Sequence, residues 1–335
     1  MLSLECFFAR VLFKYTLINS FEIMMKYELL GNSGLEVSIV SLGTNNFGAQ
    51  VTEKDSISII NKAIDHGINS IDSANQYTSG RSEQIIGKAI EGRRDDIVLA
   101  TKGGWSNSQI PNKDGLSRKA LIWQIKRSLK NLKTDYIDLY YLHRFDHNTP
   151  LDETLKTLDF LVREGKIRYV ACSNFTALQI AKSREICEVN NLEKLIAVQS
   201  PYNLLNRTIE DSLLPYCDLE NTGVLTYSPL MGGLLTGKYR IDKSPPKESR
   251  GGYSKRYFER INKLDKFELL AKIENIAQEV GVPMHKLATA WILKNSSITG
   301  CILGASNIEQ VEDNSNLVEI SDKIYEKLNK TTQNL

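Results

Sequence analysis

Cysteine is scarce in this 335-residue chain. There are five, at Cys6, Cys172, Cys187, Cys217 and Cys301, an odd number widely spaced and with no CxxC pair. A disulfide framework and a zinc knuckle are thereby excluded, and a reducing, cytoplasmic location is expected. Histidine is scarcer. His66, His143, His147 and His285 show no HExxH or paired-ligand spacing, so no metal centre is expected. Charge of one sign is also lacking: 42 basic residues face 40 acidic ones, a net charge of +2. That balance argues against nucleic acid as the main partner. No uncharged apolar run approaches the ~18 residues that a membrane span needs, so no membrane insertion is expected. Finally, the chain has no GxGxxG, the turn that usually announces a doubly wound dinucleotide-binding sheet.

What is present is an ordinary globular composition, 41% hydrophobic and 24% charged. The length suits two domains of ~150 residues or one α/β barrel. Met1 to Ile23 are rich in Leu, Phe, Tyr and Ile, but Glu5, Arg10 and Lys14 interrupt them. Residues 1–25 are read as an extension, an over-extended gene start with translation beginning at Met24 or Met25. A short amphipathic anchor or targeting segment is the alternative. Residues 26–335 are expected to form a single barrel domain.

From Tyr27 onward short β-rich runs alternate with longer helical ones. A hairpin is predicted first, Lys26–Leu30, a turn at Gly31–Gly34, then Leu35–Val37. Eight compact apolar runs follow as strand candidates: Ile39–Leu42, Ser70–Asp72, Ile97–Thr101, Ile137–Leu142, Tyr169–Cys172, Ile196–Gln199, Val224–Tyr227 and Ile298–Leu303. Amphipathic stretches lie between them, at Asp55–His66, Ser82–Glu91, Arg118–Leu132, Leu151–Glu164, Leu178–Asn190 and Ile209–Glu220. In the fourth, Leu155, Leu158, Leu161 and Val162 share one helical face. Strand and helix alternating at this spacing mean parallel strands with helical crossovers. Eight such units predict a (β/α)8 TIM barrel, with an open doubly wound sheet as the rival.

One segment breaks the rhythm. Residues 238–263 hold nine Lys or Arg against three acids, with Pro245-Pro246 and Gly251-Gly252. The expectation is a long loop after strand seven, either a solvated connector or a flap over an anionic ligand. Two helices, Asp265–Val280 and Met284–Lys294, are predicted before strand eight. Just upstream, GGLLTGK at 232–238 matches a P-loop in part, but Tyr239 follows where the magnesium-binding Ser or Thr would stand. Nucleotide triphosphate hydrolysis is set aside on that ground.

In a parallel barrel the strands' C-terminal ends converge on the active face. Nearly every predicted strand ends there in a polar residue: Asp72, Lys102, His143, Ser173-Asn174, Gln199, Tyr227 and the run Gly304-Ala305-Ser306, with Tyr77 in the loop after Asp72. Four of these make chemical sense together. A phenol of reference pKa ~10 is a poor acid at neutral pH, and the Lys102 ammonium would lower it. Asp72 would hold that ammonium charged and in place. His143 would donate to a carbonyl oxygen, so the set could protonate an alkoxide as it forms.

At these residues the chain resembles the aldo-keto reductase superfamily. The resemblance is carried by GINSIDSANQY (67–77), RSEQIIGKAI (81–90), VLATKGG (98–104), the long run from Asp138 to Phe175, VQSPYNLLNR (198–207), YSPLMGGLLTGKY (227–239) and LGASNIEQVEDN (303–314). It spans about residues 26–320 and is nearest the branch holding the β subunits of voltage-gated potassium channels and related microbial reductases. It implies a barrel that uses NADPH to reduce a small-molecule carbonyl. By position it implies Tyr77 as general acid, Asp72 and Lys102 as its tuning pair and His143 as the carbonyl-orienting group. It implies Ser173, Asn174 and Gln199 on the nicotinamide carboxamide and Tyr227 stacked on the ring. Ser228, Leu230, Gly232, Lys238 and Arg250 would line the phosphates, and Gly304, Ser306, Gln310, Asp313 and Asn314 the adenosine end.

There are departures. Asn75-Gln76 precede the tyrosine where the family usually has an acid or an Ala-Asp-like pattern, and residue 172 is Cys where Gly is common. Positions 304 and 306 are Gly and Ser where a basic residue often grips the 2′-phosphate, so NADH is admitted beside NADPH, with Arg250 and Gln310 as compensating groups. Trp105, Phe47 and the loop 106–116 are expected to shape the substrate pocket, with packing as the equal alternative for Trp105. Two alternatives stand beside the reductase: a nicotinamide-binding subunit of a channel or other partner, and a barrel lyase or isomerase with no redox step. Substrate identity and oligomeric state are not encoded in these motifs.

Overall fold

The computed structural model describes residues 25–105, 108–240, 243–264 and 266–333. The predicted extension lies outside the described residues except for Met25.

Ten strands and twelve helices are described. A hairpin comes first, β1 (Tyr27–Leu29) and β2 (Glu36–Ser38), paired antiparallel. Then follow β3 (Val40–Gly43), α1 (Glu53–Asp65), β4 (Ser70–Asp72), α2 (Arg81–Ala89), β5 (Val98–Gly103), α3 (Arg118–Leu132), β6 (Ile137–Leu142), α4 (Leu151–Arg163), β7 (Ile167–Ser173), α5 (Ala177–Asn190), β8 (Leu195–Pro201), α6 (Leu213–Glu220) and β9 (Gly223–Tyr227). The chain continues with α7 (Arg250–Tyr253), α8 (Lys255–Asn262), α9 (Phe267–Val280), α10 (Met284–Lys294), β10 (Gly300–Gly304), α11 (Ile308–Ser315) and α12 (Asp322–Thr332). Strands β3 to β10 close into an eight-stranded barrel, each neighbour parallel. The predicted TIM barrel and its N-terminal hairpin are both observed.

Two apolar layers hold the barrel. The larger lies between strands and helices: Leu158 and Leu161 of α4 are buried there with Ile125 of α3 and Ile180 of α5. The smaller fills the barrel interior with Val98, Ala100, Leu139, Tyr141, Ala171, Ala197, Leu225 and Ile302. Leu30 and Val37 of the hairpin complete it, so the hairpin plugs one mouth. Its turn seats tightly there. Gly31 has φ +59°, and a Cβ on it would lie 2.3 Å from the carbonyl of Ile196 and 2.5 Å from the amide of Gly223. Those residues open β8 and β9, which places the plug at the strands' N-terminal ends and leaves the other mouth for chemistry.

The segment after β9 is less loop-like than its composition suggests. Ser249 and Ser254 accept from Gly252 N and Tyr257 N and so cap α7 and α8. Tyr257 and Ile261, four apart, bury one face of α8. The charged run thus keeps a short amphipathic helix within it. Among the described residues no helix is long and apolar enough to cross a membrane, and no cluster of three or more metal-ligating side chains forms.

Candidate active site

Side chains on a strand alternate faces, and the interior layer shows which face points inward. Ala100, Tyr141, Ala171, Ala197, Leu225 and Ile302 line the interior. Two residues beyond each stand Lys102, His143, Ser173, Gln199, Tyr227 and Gly304. The same alternation that builds the core therefore brings these positions together at the open mouth.

Lys102 is the hub. It is 1% exposed, and its Nζ donates to Asp72 Oδ1 and Oδ2 at 2.6 and 2.7 Å, to Ser73 O at 2.9 Å and to Tyr77 OH at 3.4 Å. Gln199 Nε2 donates to Asp72 Oδ2 at 2.8 Å. A buried ammonium is tolerable only with such a set of acceptors. Burial opposes its charge, but Asp72 and Tyr77 outweigh burial, and Lys102 sits above its ordinary pKa. It remains a cation throughout the working range.

Tyr77 corrects one expectation. Burial pushes its phenol above the ordinary value; Lys102 pulls it down, and Asp72 pushes it up again. The ammonium therefore does not make the resting phenol acidic, because burial outweighs it and the carboxylate opposes it. The hydroxyl holds its proton, beside a fixed cation that favours the phenolate once the proton has left.

The His143 ring meets Tyr77 edge-on, centroids 6.2 Å apart. Burial, Lys102 and Arg144 push its pKa down to about 3, so the imidazole is neutral. Its Nδ1 is buried and has no hydrogen-bond partner among the described residues, which is costly unless something else meets it. Trp105 packs edge-on against the same ring at 5.6 Å, and the Arg144 guanidinium lies 4.6 Å from the Trp105 centroid. Trp105 therefore packs beside His143 at the open mouth. Phe47 does not shape the pocket as expected: it is fully buried in the outer core and lines no open surface. The turn from Thr44 to Phe47 folds it under the barrel wall. Residues 106 and 107 of the expected pocket loop lie outside the described residues.

Beyond this cluster, β7 and β9 share a polar network. Asn174, in the left-handed region at φ +60°, donates through Nδ2 to His143 O and Ser173 Oγ, each at 3.0 Å. Its Oδ1 accepts from Tyr227 OH at 2.8 Å, which fixes the half-buried Tyr227 ring. The turn after β9 is tightly wound, with Ser228 and Met231 at φ +56° and +45°. Its carbonyls face inward. Asn203 Nδ2 donates to Ser228 O, Gly233 N and Leu235 N to Leu230 O, and Tyr257 OH to Met231 O and Gly232 O. Lys238 and Arg250 are exposed beside it, Arg250 stacked 4.9 Å from the Tyr257 ring centre. A turn with its carbonyls turned inward and two cations at its edge suits a polyanion. After β10, Gln310 Oε1 accepts from Ser306 N and Asn314 Nδ2 donates to Gly304 O. Asp313 turns toward α10, where it pairs with His285 at 2.5 Å and Lys286 at 3.0 Å.

Sequence reading missed three residues at this mouth. Asn203 holds the turn after β9. Asn46 donates to Ala305 O and Ser306 Oγ across the β3–β10 junction. Gln124, on α3, bonds to the loops after β4 and β5. Each acts on a partner far away in sequence; Asn46 and Asn203 each lie four residues past a predicted strand end, and Gln124 lies near none.

Comparison with known proteins agrees with this architecture. The Aldo/keto reductase family profile matches residues 40–332. Over 304 residues the chain is 36% identical to a probable voltage-gated potassium channel subunit beta of Arabidopsis thaliana, covering 88% of this chain and 92% of that one. It is 37% identical over 310 residues to an uncharacterized oxidoreductase, YrpG, of Bacillus subtilis, covering 89% and 92%. It is 33% identical over 336 residues to the aldo-keto reductase AMT2 of Alternaria alternata, covering 90% of each. With a closed parallel barrel, the polar mouth just described and a family match across nearly all of it, this chain belongs to the aldo/keto reductase family of oxidoreductases.

Proposed function

We propose that this protein reduces an aldehyde or ketone to the alcohol with NADPH. The observation that carries the reading is the buried Asp72–Lys102 pair with the Tyr77 hydroxyl 3.4 Å from the ammonium, beside a neutral histidine. Such a group serves a reaction in which a carbonyl oxygen gains negative charge and then a proton.

The residues present fit a dinucleotide. Ser173, Asn174 and Gln199 would hold the carboxamide, and Tyr227, its hydroxyl anchored on Asn174, would offer its ring to the nicotinamide. Ser228, Leu230, Gly232, Lys238 and Arg250 would take the phosphates. Gly304, Ser306, Gln310, Asp313 and Asn314 would take the adenosine end, with the charge of Asp313 met by His285 and Lys286. When bound, the nicotinamide supplies the hydride that reduces the carbonyl carbon. His143, neutral, donates an N–H to the carbonyl oxygen and orients it. Tyr77 gives its proton to that oxygen as charge develops there. The phenolate left behind is stabilised by Lys102, whose own charge is held by Asp72. Trp105 beside His143 limits how a substrate can approach.

Titration of the protein with NADPH and with NADH, followed by a carbonyl panel with the tighter cofactor, tests this. Binding of NADPH in preference to NADH, with turnover of aryl or small aliphatic aldehydes, is the expected result. Failure of both cofactors to bind would overturn it.

A further inference from the structure

The catalytic loops are clamped from behind. We infer that Gln124, on the outside of the barrel, is a positioning residue that sets Tyr77 and Trp105 against Lys102 and His143. The inference rests on the proposed reductase reading and adds a residue to it.

Gln124 lies mid-way along α3 on its buried stripe, with Ala120, Leu121, Ile125 and Ser128, and is fully buried. A buried amide among apolar neighbours is unfavourable unless both its ends are satisfied. Here both are. Its Oε1 accepts from Asn75 Nδ2 at 3.0 Å and from Gly104 N at 2.6 Å. Its Nε2 donates to Gly115 O at 3.0 Å. The three partners lie on two loops, Asn75 after β4 and Gly104 and Gly115 at either end of the loop after β5. Asn75 stands two residues before Tyr77, and its backbone N–H donates to Lys102 O at 3.0 Å. Gly104 directly precedes Trp105. Gly115 closes the loop that Trp105 opens, and the next residue, Leu116, lies against Gly104.

The space for this clamp is built in. A Cβ on Gly103 would lie 2.7 Å from Gln124 Oε1 and 1.9 Å from Tyr140 OH, so only glycine admits the amide at that point of β5. Gly103 O in turn accepts from His143 N at 2.8 Å. One side chain therefore joins the tyrosine loop to the tryptophan loop at the strand end that carries Lys102, one hydrogen bond away from His143. It touches none of the reacting groups. Displacements of about 1 Å in such groups cost on the order of 100-fold in rate.

The test is Gln124→Met, which keeps the volume and removes all three bonds, with Asn75→Ala as the milder variant that cuts only the tie to the tyrosine loop. NADPH and 4-nitrobenzaldehyde are the probes. Turnover is scored per folded molecule, NADPH affinity by fluorescence, and backbone motion by hydrogen exchange. The expected result for Gln124→Met is a fall in kcat of roughly 100-fold with unchanged NADPH affinity. Exchange should quicken in peptides covering 73–80 and 104–116 while the peptides of β7 to β9 stay as protected as before. Asn75→Ala should show part of the same loss, and the double variant should lose no more than Gln124→Met alone, because both cut one path. A kcat unchanged in both single variants would overturn the inference. So would exchange that quickens evenly through the barrel, which marks a loss of global stability alone. Tyr77→Phe run alongside separates the two levels: if it abolishes turnover while Gln124→Met and Asn75→Ala do not, the clamp fails and the reductase reading stands. If Tyr77→Phe leaves turnover intact, both fail.

Discussion

The open mouth of the barrel has two unlike halves. On β4 to β6 the side chains are sealed: Asp72 is 5% exposed, Lys102 1% and His143 8%, and Asp72 and Lys102 bond to each other and to Gln199 and Ser73. After β9 and β10 the candidate cofactor residues stand open, with Ser228, Lys238, Arg250, Gly304, Ser306 and Gln310 exposed. On the proposed reading, the difference follows from what each half would do. Charges that stabilise a transition state act most strongly where water is excluded and nothing has to reorganise. Charges that capture a polyanion from solution act at a distance and must remain reachable. Burial on one side and exposure on the other are two uses of the same electrostatics.

If the halves are separable, breaking one should leave the other intact. Tyr77→Phe is the sharpest cut. It removes the proton donor and keeps the ring, so kcat should fall by about 10²- to 10⁴-fold, while NADPH affinity measured by fluorescence stays put. A parallel loss of affinity would join the two halves. Lys102→Met comes next. It strands the buried Asp72 carboxylate, and removing one member of a buried pair costs about 3–5 kcal/mol, so melting temperature and turnover should drop together. Adding Asp72→Asn to that variant should recover the melting temperature without recovering turnover. Recovery of both would make the pair structural rather than chemical.

The sealed half was also the more legible in sequence. Asp72, Lys102 and His143 end or directly follow strands whose apolar alternation is plain, so period and position alone bring them to one rim. The eight barrel strands read from the sequence are all present, with edges moved by up to two residues, as at β7, which begins at Ile167 rather than Tyr169. Helix α12 was not read, although Ser321 caps it and Ile324 and Leu328 mark its buried face. The helices α7 and α8 were hidden under a charge run that drowned the Tyr257–Ile261 spacing. Other features leave no local trace. Whether Lys102 lowers the Tyr77 phenol depends on how deeply the phenol is buried, and burial is a tertiary quantity. Phe47 looks like a pocket residue by neighbourhood and is a core residue by packing. Gln124 joins residues 49 and 20 positions away, and no window along the chain contains that relation.

Exposed cations should matter for holding the cofactor and little else. Lys238→Met and Arg250→Ala are each expected to weaken NADPH binding about tenfold, in line with one charge-assisted hydrogen bond lost, with kcat at saturation unchanged. Binding to the parent protein should also weaken as ionic strength rises, because exposed charges are screened over ~10 Å at 0.1 M salt. In the double variant that salt dependence should flatten. A steep dependence persisting there would place the cofactor's phosphates elsewhere.

The smallest expected effect is no effect, and it separates the halves most cleanly. A histidine near its ordinary value of about 6.5 would make turnover change as pH passes through that region. His143 is pushed down to about 3 by burial and by Lys102 and Arg144, and the Tyr77 phenol is held above its ordinary 10. Both groups therefore keep one protonation state from roughly pH 5 to 9, and on the proposed reading kcat at saturating cofactor should be flat across that span. Stability behaves differently, and the sign can be worked out. Below about 6.5 the unfolded chain binds a proton at residue 143 that the folded site refuses. Native stability should therefore decline as pH falls from about 6.5 toward 3, while turnover per folded molecule holds. An inflection in kcat near 6.5, scored on folded protein, would mean that the imidazole titrates during catalysis and that the sealed half is wetter than its packing implies.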